Sequence, residues 1–143
     1  MDDFAFSSDL LYENLKILKD TYTFLQTGSA GKSIMGKDIP YVRVGRGPKE
    51  VFYSASYHAN EWITSIVLLE FLYEYCAAIQ NNSTIWGFSA RRLFENTSIY
   101  IIPLVNPDGV DLVTGNLNKT SLAYLNALNI SRQFLDIPFP SRM

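Results

Sequence analysis

His58 is the sole histidine of this chain, and Glu61 follows it by three residues. A three-residue step across a first helical turn can place an imidazole and a carboxylate on one side. Zn²⁺ takes both His nitrogen and Glu oxygen as ligands. A catalytic zinc keeps one position open for water and lowers that water's pKa towards neutrality. The spacing also has a plainer reading, in which the histidine caps a helix and the glutamate favours the positive end of its dipole. Spacing alone leaves both open.

The surrounding pattern predicts where this pair sits. Val51 to Ser56 reads as a short apolar strand suited to a buried sheet. His58 lies just past its C-terminal end. Glu61 to Ile79 reads as a long helix, with Ile63, Val67, Leu68, Phe71, Leu72 and Tyr75 on its buried face. Ser98 to Val105 is the most apolar strand, and Asn106-Pro107-Asp108-Gly109 follows as a strong turn. Strand, helix and strand in that order imply a βαβ crossover. In open α/β sheets, ligands bind outside the carboxyl ends of the strands, where His58 and Glu61 fall. Asn106 and Asp108 end the second parallel strand at the same edge, so they could shape the floor of a substrate pocket, with Asn106 the candidate substrate-binding residue.

Upstream, Leu11, Leu15, Leu18, Tyr22 and Leu25 recur at steps of three and four, predicting a helix over Ser8 to Leu25. Thr27 to Gly31 breaks it. Ser33 to Val44 reads as a hairpin turning at Gly36-Lys37-Asp38, and Gly45 to Pro48 as another turn. Ala90 to Glu95 and Ser121 to Leu128 are weakly helical, and Asp136 to Pro140 is extended. The fold class is α/β, with a mixed, largely buried sheet and helices on both faces.

Composition narrows the function classes. The 143 residues suit one domain, with 48% hydrophobic and 18% charged residues. Net charge is −2, without a basic stripe, so nothing points to nucleic acid or an anionic membrane surface. The longest apolar runs, Ile66–Leu69 and Ile99–Val105, are too short to span a bilayer. Met1-Asp2-Asp3 is acidic, with no apolar signal core after it. Cys76 is the only cysteine and reads as a small buried hydrophobe. These features favour a cytoplasmic setting.

Other motifs are decoys. Gly28-Ser29-Ala30-Gly31-Lys32-Ser33 looks like the end of a phosphate-binding loop, but Gln26 stands where that loop needs glycine, and a helix precedes it instead of a strand. Neither a Gly-x-Ser-x-Gly elbow nor a Gly-x-Gly-x-x-Gly dinucleotide loop occurs. Asp108 reads as a turn residue, Asp111, Arg132 and Arg142 as solvated, and Trp62 and Trp86 as packing residues.

Tyr57-His58-Ala59-Asn60-Glu61-Trp62-Ile63-Thr64 resembles the first zinc motif of the carboxypeptidase A-like zinc carboxypeptidases, and Ile102 to Val110 resembles the family's second landmark, a strand ending in Asn-Pro-Asp-Gly. The resemblance covers about residues 8 to 115, in order, and implies the N-terminal half of that phosphorylase/hydrolase-like fold. It implies Zn²⁺ as cofactor, with His58 and Glu61 as two metal ligands. Asn60, where animal digestive enzymes usually carry arginine, makes the motif look more like the bacterial branch that cleaves γ-D-glutamyl–diamino-acid bonds. A peptide or cell-wall peptide is the implied substrate.

The family's third zinc ligand is a later histidine, its base a later glutamate, and its substrate-binding groups arginines; none has a match here. Residues 1–143 therefore read as a partial zinc carboxypeptidase-like domain, inactive alone, that holds zinc weakly. A half-sheet should expose an edge strand and an apolar face, which a homo-oligomer would hide. The rival reading is a non-catalytic peptide-binding or oligomerisation module of the same fold. A nucleotide binder is a third.

Overall fold

The chain enters its first helix at α1, Ser8–Thr21, where the Ser7 hydroxyl accepts the Leu10 N–H at 3.1 Å. Leu11, Leu15 and Leu18 bury one face. The computed structural model describes residues 6–134 and Phe139; the rest of the stretch expected to be extended, and Arg142, lie outside the described residues. The helix stops four residues short of the expected Leu25: Tyr22 is extended, and a turn closed by the Leu25 N–H on the Tyr22 carbonyl at 3.0 Å follows. Leu25 is buried all the same, from a strand side of the core.

The stretch expected only to break that helix is a strand. Strand β1, Gln26–Lys32, pairs antiparallel with β2, Asp38–Gly45, and the ladder bulges between Ser29 and Gly31. It is a mostly exposed edge strand, so it carries no apolar alternation to reveal it. Gly28 leaves room there for the Tyr41 ring, whose outer edge would lie 2.6 Å from a Cβ.

Strands β3, Lys49–Ser54, and β6, Thr97–Ile102, complete a mixed sheet in the order β1-β2-β6-β3. β6 runs antiparallel to β2 and parallel to β3, with Val51 opposite Ile99 and Tyr53 opposite Ile101. The crossover between β3 and β6 holds helix α2, Ile63–Gln80, a small hairpin of β4, Thr84–Ile85, and β5, Phe88–Ser89, and helix α3, Ala90–Asn96. The hairpin has no clear signature in the sequence. Its turn is Trp86-Gly87, both at positive φ, and Trp86 is 72% exposed, not packed away, with its ring stacked on Phe71 at 5.6 Å.

Val42, Val44 and Ile101 join α1 and α2 in one core with Leu69, Leu72, Tyr75, Cys76 and Ile79. The core-forming helices therefore share a face of the sheet. On the opposite face Arg43 lies over the Tyr100 ring at 5.4 Å and the Tyr100 hydroxyl donates to Glu50 at 3.3 Å, with Phe52 exposed beside them.

Helix α2 is strongly apolar, with Glu70 and Glu74 as its only charged residues. With the turn before it, Ala59–Gln80 is long and apolar enough to cross a membrane by length and composition, longer than the uninterrupted apolar runs of the sequence. One side of it is the core just described. Of the residues expected inside, Leu72 and Tyr75 are buried and Leu68 and Phe71 pack on the core, while Ile63 and Val67 are exposed, because the buried stripe is centred on Leu69, Leu72, Cys76 and Ile79.

Asn106–Gly109 is more than a turn: it opens helix α4, Pro107–Val113, with proline in its first turn and the Asn106 carbonyl oxygen Oδ1 accepting the Gly109 N–H at 2.9 Å. Asp111, expected in solvent, is 3% exposed. Its carboxylate accepts from the Ser8 N–H at 2.8 Å and the Ser8 hydroxyl at 2.6 Å, and pairs with Lys37. A buried carboxylate persists only with such partners. Asp108 accepts from the Ser33 hydroxyl and the Met35 N–H, each at 3.0 Å. A last helix, α5, Leu122–Ser131, buries no residue; Arg132 beyond it is exposed, and Tyr124 meets the Phe139 ring edge-on at 5.6 Å.

Two outcomes follow from this packing. Asp111→Ala, which strips three partners at once, should destabilise the fold by about 2–3 kcal/mol, read as a lower urea midpoint. Burial pushes the Cys76 thiol up to about 12. Since the thiolate is the nucleophile, iodoacetamide at pH 8 should leave Cys76 untouched until urea unfolds the chain.

Candidate metal site

The parallel ladder of β3 and β6 does not stop where the strands do. The Ala55 N–H donates to the Ile102 carbonyl, the Val105 N–H to the Ala55 carbonyl, and the Asn106 N–H to the Ser56 carbonyl, all at 3.0 Å. This tie carries both chains past the sheet's carboxyl edge together. Tyr57 and His58 come next on one chain, and α4 begins on the other.

His58 is extended, with φ −90 and ψ 141, and stands before a single 3-10 turn, Ala59–Glu61. The Glu61 N–H donates to the His58 carbonyl at 3.2 Å, which closes that turn and brings the two side chains to one side. His58 Nδ1 lies 3.1 Å from Glu61 Oε2. The side chains are 75% and 51% exposed, so they face open solvent and not a packed interior. The His58 side chain makes no capping hydrogen bond, which removes the helix-cap reading of this histidine.

Asn106 supports the pair from behind. Its Nδ2 donates to the Tyr57 carbonyl at 3.2 Å while its Oδ1 caps α4. The side chain is wedged so tightly that a Cβ on Gly109 would approach Asn106 Nδ2 to 2.5 Å. The Asn-Pro-Asp-Gly sequence thus needs its asparagine and its glycine for one contact. With both ends of its amide engaged, Asn106 touches the backbone of the residue before His58.

The donor pair fits half of a zinc site. Two ligands each about 2.0–2.1 Å from a tetrahedral ion stand about 3.3 Å apart, and the 3.1 Å His58–Glu61 separation is close to that. Among the described residues, no group of three or more His, Cys, Asp or Glu could hold a metal. The pair is therefore a partial donor set.

Ser56 goes unnoticed in the sequence. It sits two residues before His58, is 2% exposed, and has a φ of 53°. Neither its type nor its neighbours carries a signal for that conformation. Thr64 and Ser65, which bond it, look like ordinary helix residues until the fold brings them back to the end of β3.

Comparison with known proteins shows the family. The zinc carboxypeptidase family model matches residues 11–139. The chain is 41% identical over 104 residues to gamma-D-glutamyl-L-diamino acid endopeptidase 1 of Lysinibacillus sphaericus, covering 73% of this chain and 26% of that one. It is 31% identical over 108 residues to a zinc carboxypeptidase of Saccharothrix mutabilis subsp. capreolus, covering 70% of this chain and 24% of the relative. Among solved structures, it resembles bovine thrombin-activatable fibrinolysis inhibitor with a TM-score of 0.64 at 21% identity, over 76% of this chain and 33% of that one. It also resembles the metallo-carboxypeptidase of Pseudomonas aeruginosa, with a TM-score of 0.60 at 18% identity, over 90% and 37%. The structural likeness shows the fold. The chain spans about a quarter of the length of these curated relatives. A family match over nearly the whole chain, on a fold shared with solved carboxypeptidases, makes this chain a partial member of the zinc carboxypeptidase family, a lineage of metallopeptidases.

Proposed function

We propose that this chain carries the N-terminal part of a zinc-dependent peptidase site, with His58 and Glu61 as two metal ligands. The observation that carries this reading is the 3.1 Å approach of Nδ1 to Oε2 at the carboxyl edge of the sheet. His58 would offer its Nδ1 lone pair and Glu61 its carboxylate. Asn106 would keep the Tyr57 carbonyl, and with it the His58 backbone, from moving away. Zinc, when bound, supplies a Lewis acid for a scissile carbonyl and acidifies a water. With two donors where catalytic sites use three, this chain by itself holds zinc weakly and lacks peptidase activity. The substrate class is a peptide, and a γ-D-glutamyl–diamino-acid bond of a cell-wall peptide fits best. Support comes from Asn60 before the zinc glutamate and from the 41% identity to an endopeptidase named for that bond. On this reading Asn106 acts on the pocket floor through the backbone behind His58.

A second reading rests on a separate observation. Among the described residues β3 has one unpaired edge, and its neighbouring side chains Phe52 and Tyr53, which point to opposite faces, are both about half exposed. Beside it lies an apolar concavity of about 740 Å³, lined by Val51, Tyr53, Val67, Phe71 and Trp86 among others. Such a patch on an isolated chain is covered by self-association, so a second copy seated there would make the chain a non-catalytic oligomerisation module.

Zinc titration separates the readings. The metal-free chain should bind zinc weakly, and His58→Ala should lower that affinity at least ~10-fold. Tight stoichiometric binding that survives His58→Ala would remove the ligand assignment. Sedimentation should show concentration-dependent association of the wild-type chain, abolished by pairing Val67→Glu with Trp86→Glu, two exposed positions on the patch. A chain that stays monomeric at high concentration would remove the module.

A further inference from the structure

The backbone before His58 carries a conformation that ordinary L-residues avoid. Ser56 has a φ of 53°, in the left-handed region, where a residue other than glycine suffers a steric penalty unless its surroundings hold it there. Its surroundings do. The Ser56 N–H donates to Thr64 Oγ1 at 3.0 Å, and its carbonyl accepts from the Asn106 N–H at 3.0 Å. Its hydroxyl lies 2.7 Å from the Ser65 hydroxyl and donates to the Glu61 carbonyl at 3.2 Å. A hydroxyl has one proton to give and can accept besides, so the consistent arrangement is Ser65 donating to Ser56 and Ser56 donating to Glu61. Ser56 is 2% exposed and Ser65 fully buried, so water does not compete.

The Glu61 carbonyl is where these bonds converge. Thr64 Oγ1 also donates to it, at 2.7 Å. The Ser65 N–H, which a regular helix would send to Glu61, donates to Trp62 instead at 3.1 Å. The start of α2 is thus one residue tight, and two side-chain hydroxyls hold the peptide of Glu61. Ser56 consequently grips both arms of the donor pair, with His58 two residues along its own chain and the carbonyl of Glu61 through its hydroxyl.

We propose that Ser56 is a positioning residue for the His58–Glu61 pair: its left-handed backbone aims the chain at His58 and its hydroxyl fixes Glu61 at the matching distance. This rests on the metal-ligand reading only for its consequence. The spacing itself is a property of the metal-free chain.

Two variants divide positioning from mere folding. Ser56→Gly removes the hydroxyl and suits the left-handed backbone, so its thermal midpoint should stay near wild type. Ser56→Ala removes the hydroxyl and keeps the steric penalty, so its midpoint should fall. Because His58 is the only histidine, its ring signals are unambiguous in NMR spectra. In the metal-free wild type, nuclear Overhauser cross-peaks should join the His58 ring to the Glu61 side chain; in folded Ser56→Gly they should vanish. Zinc followed through the same signals should bind Ser56→Gly ~10-fold more weakly, as for groups that orient a ligand without touching the metal. Cross-peaks and zinc affinity both unchanged in Ser56→Gly would overturn the positioning role. Cross-peaks that vanish in the variant, together with a wild-type His58 blind to zinc, would uphold positioning and sink the metal reading alone.

Discussion

Three backbone hydrogen bonds beyond the ends of β3 and β6 are the constraint on which the site depends. Inside a parallel sheet such bonds are routine. Here they run on through Ala55, Val105 and Asn106, so two loops leave the sheet locked together instead of diverging. The loop after β3 then has to turn sharply within two residues, at Ser56 and Tyr57, to start the 3-10 turn and α2. The loop after β6 has to start α4 at once, at Asn106. Each turn is stabilised from the other chain: the Asn106 side chain holds Tyr57, and the Ser56 carbonyl takes the Asn106 N–H. Neither half of the site would keep its shape without the other.

Helix α4 extends the same logic outward. Seven residues are too few for a helix to persist on propensity. Val110 seats it in the core, and polar contacts fix it further. Asn106 caps its start, Asp108 receives the turn of the β1–β2 hairpin, and Asp111 receives the N-terminal residue of α1. Ser8 and Asp111 are 103 positions apart in the chain, so this one carboxylate closes the fold end to end. The packing of α4 against the turn that holds Glu61 thus draws on residues from the first helix, the hairpin and the final third of the described chain.

How much of this the sequence disclosed follows from which forces wrote it. Apolar periodicity located α1, α2, β3 and β6, because those elements bury one side or both. It failed for β1, an exposed edge strand with nothing to bury, and for the β4–β5 hairpin, whose turn puts Trp86 at positive φ. On α2 it found Leu72 and Tyr75, which are buried, and Leu68 and Phe71, which pack on the core, but it also turned Ile63 and Val67 inward, because a helix with so few polar residues has little polar stripe to orient it. Asp111 read as solvated because its partners, Ser8 and Lys37, are remote in the chain. Of the site, the positions of His58 and Glu61 were legible from their types and their place after a strand. Asn106 was legible as a residue at the same edge, while its contact with the Tyr57 carbonyl was not. Ser56 was invisible, since hydrogen bonds that return from the next helix leave no local trace.

The same edge also shows what this length of chain leaves open. A strand with one exposed and one core-facing side alternates, whereas Val51, Phe52 and Tyr53 are apolar in succession, the pattern of a strand buried on both faces and flanked on both sides. Among the described residues β3 nevertheless pairs with β6 alone. The donor pair lies at the carboxyl end of that strand and has two members where a catalytic zinc takes three protein ligands. The exposed edge of β3 and the His58–Glu61 pair therefore share one strand end, the end that the backbone bonds through Ala55, Val105 and Asn106 hold in shape.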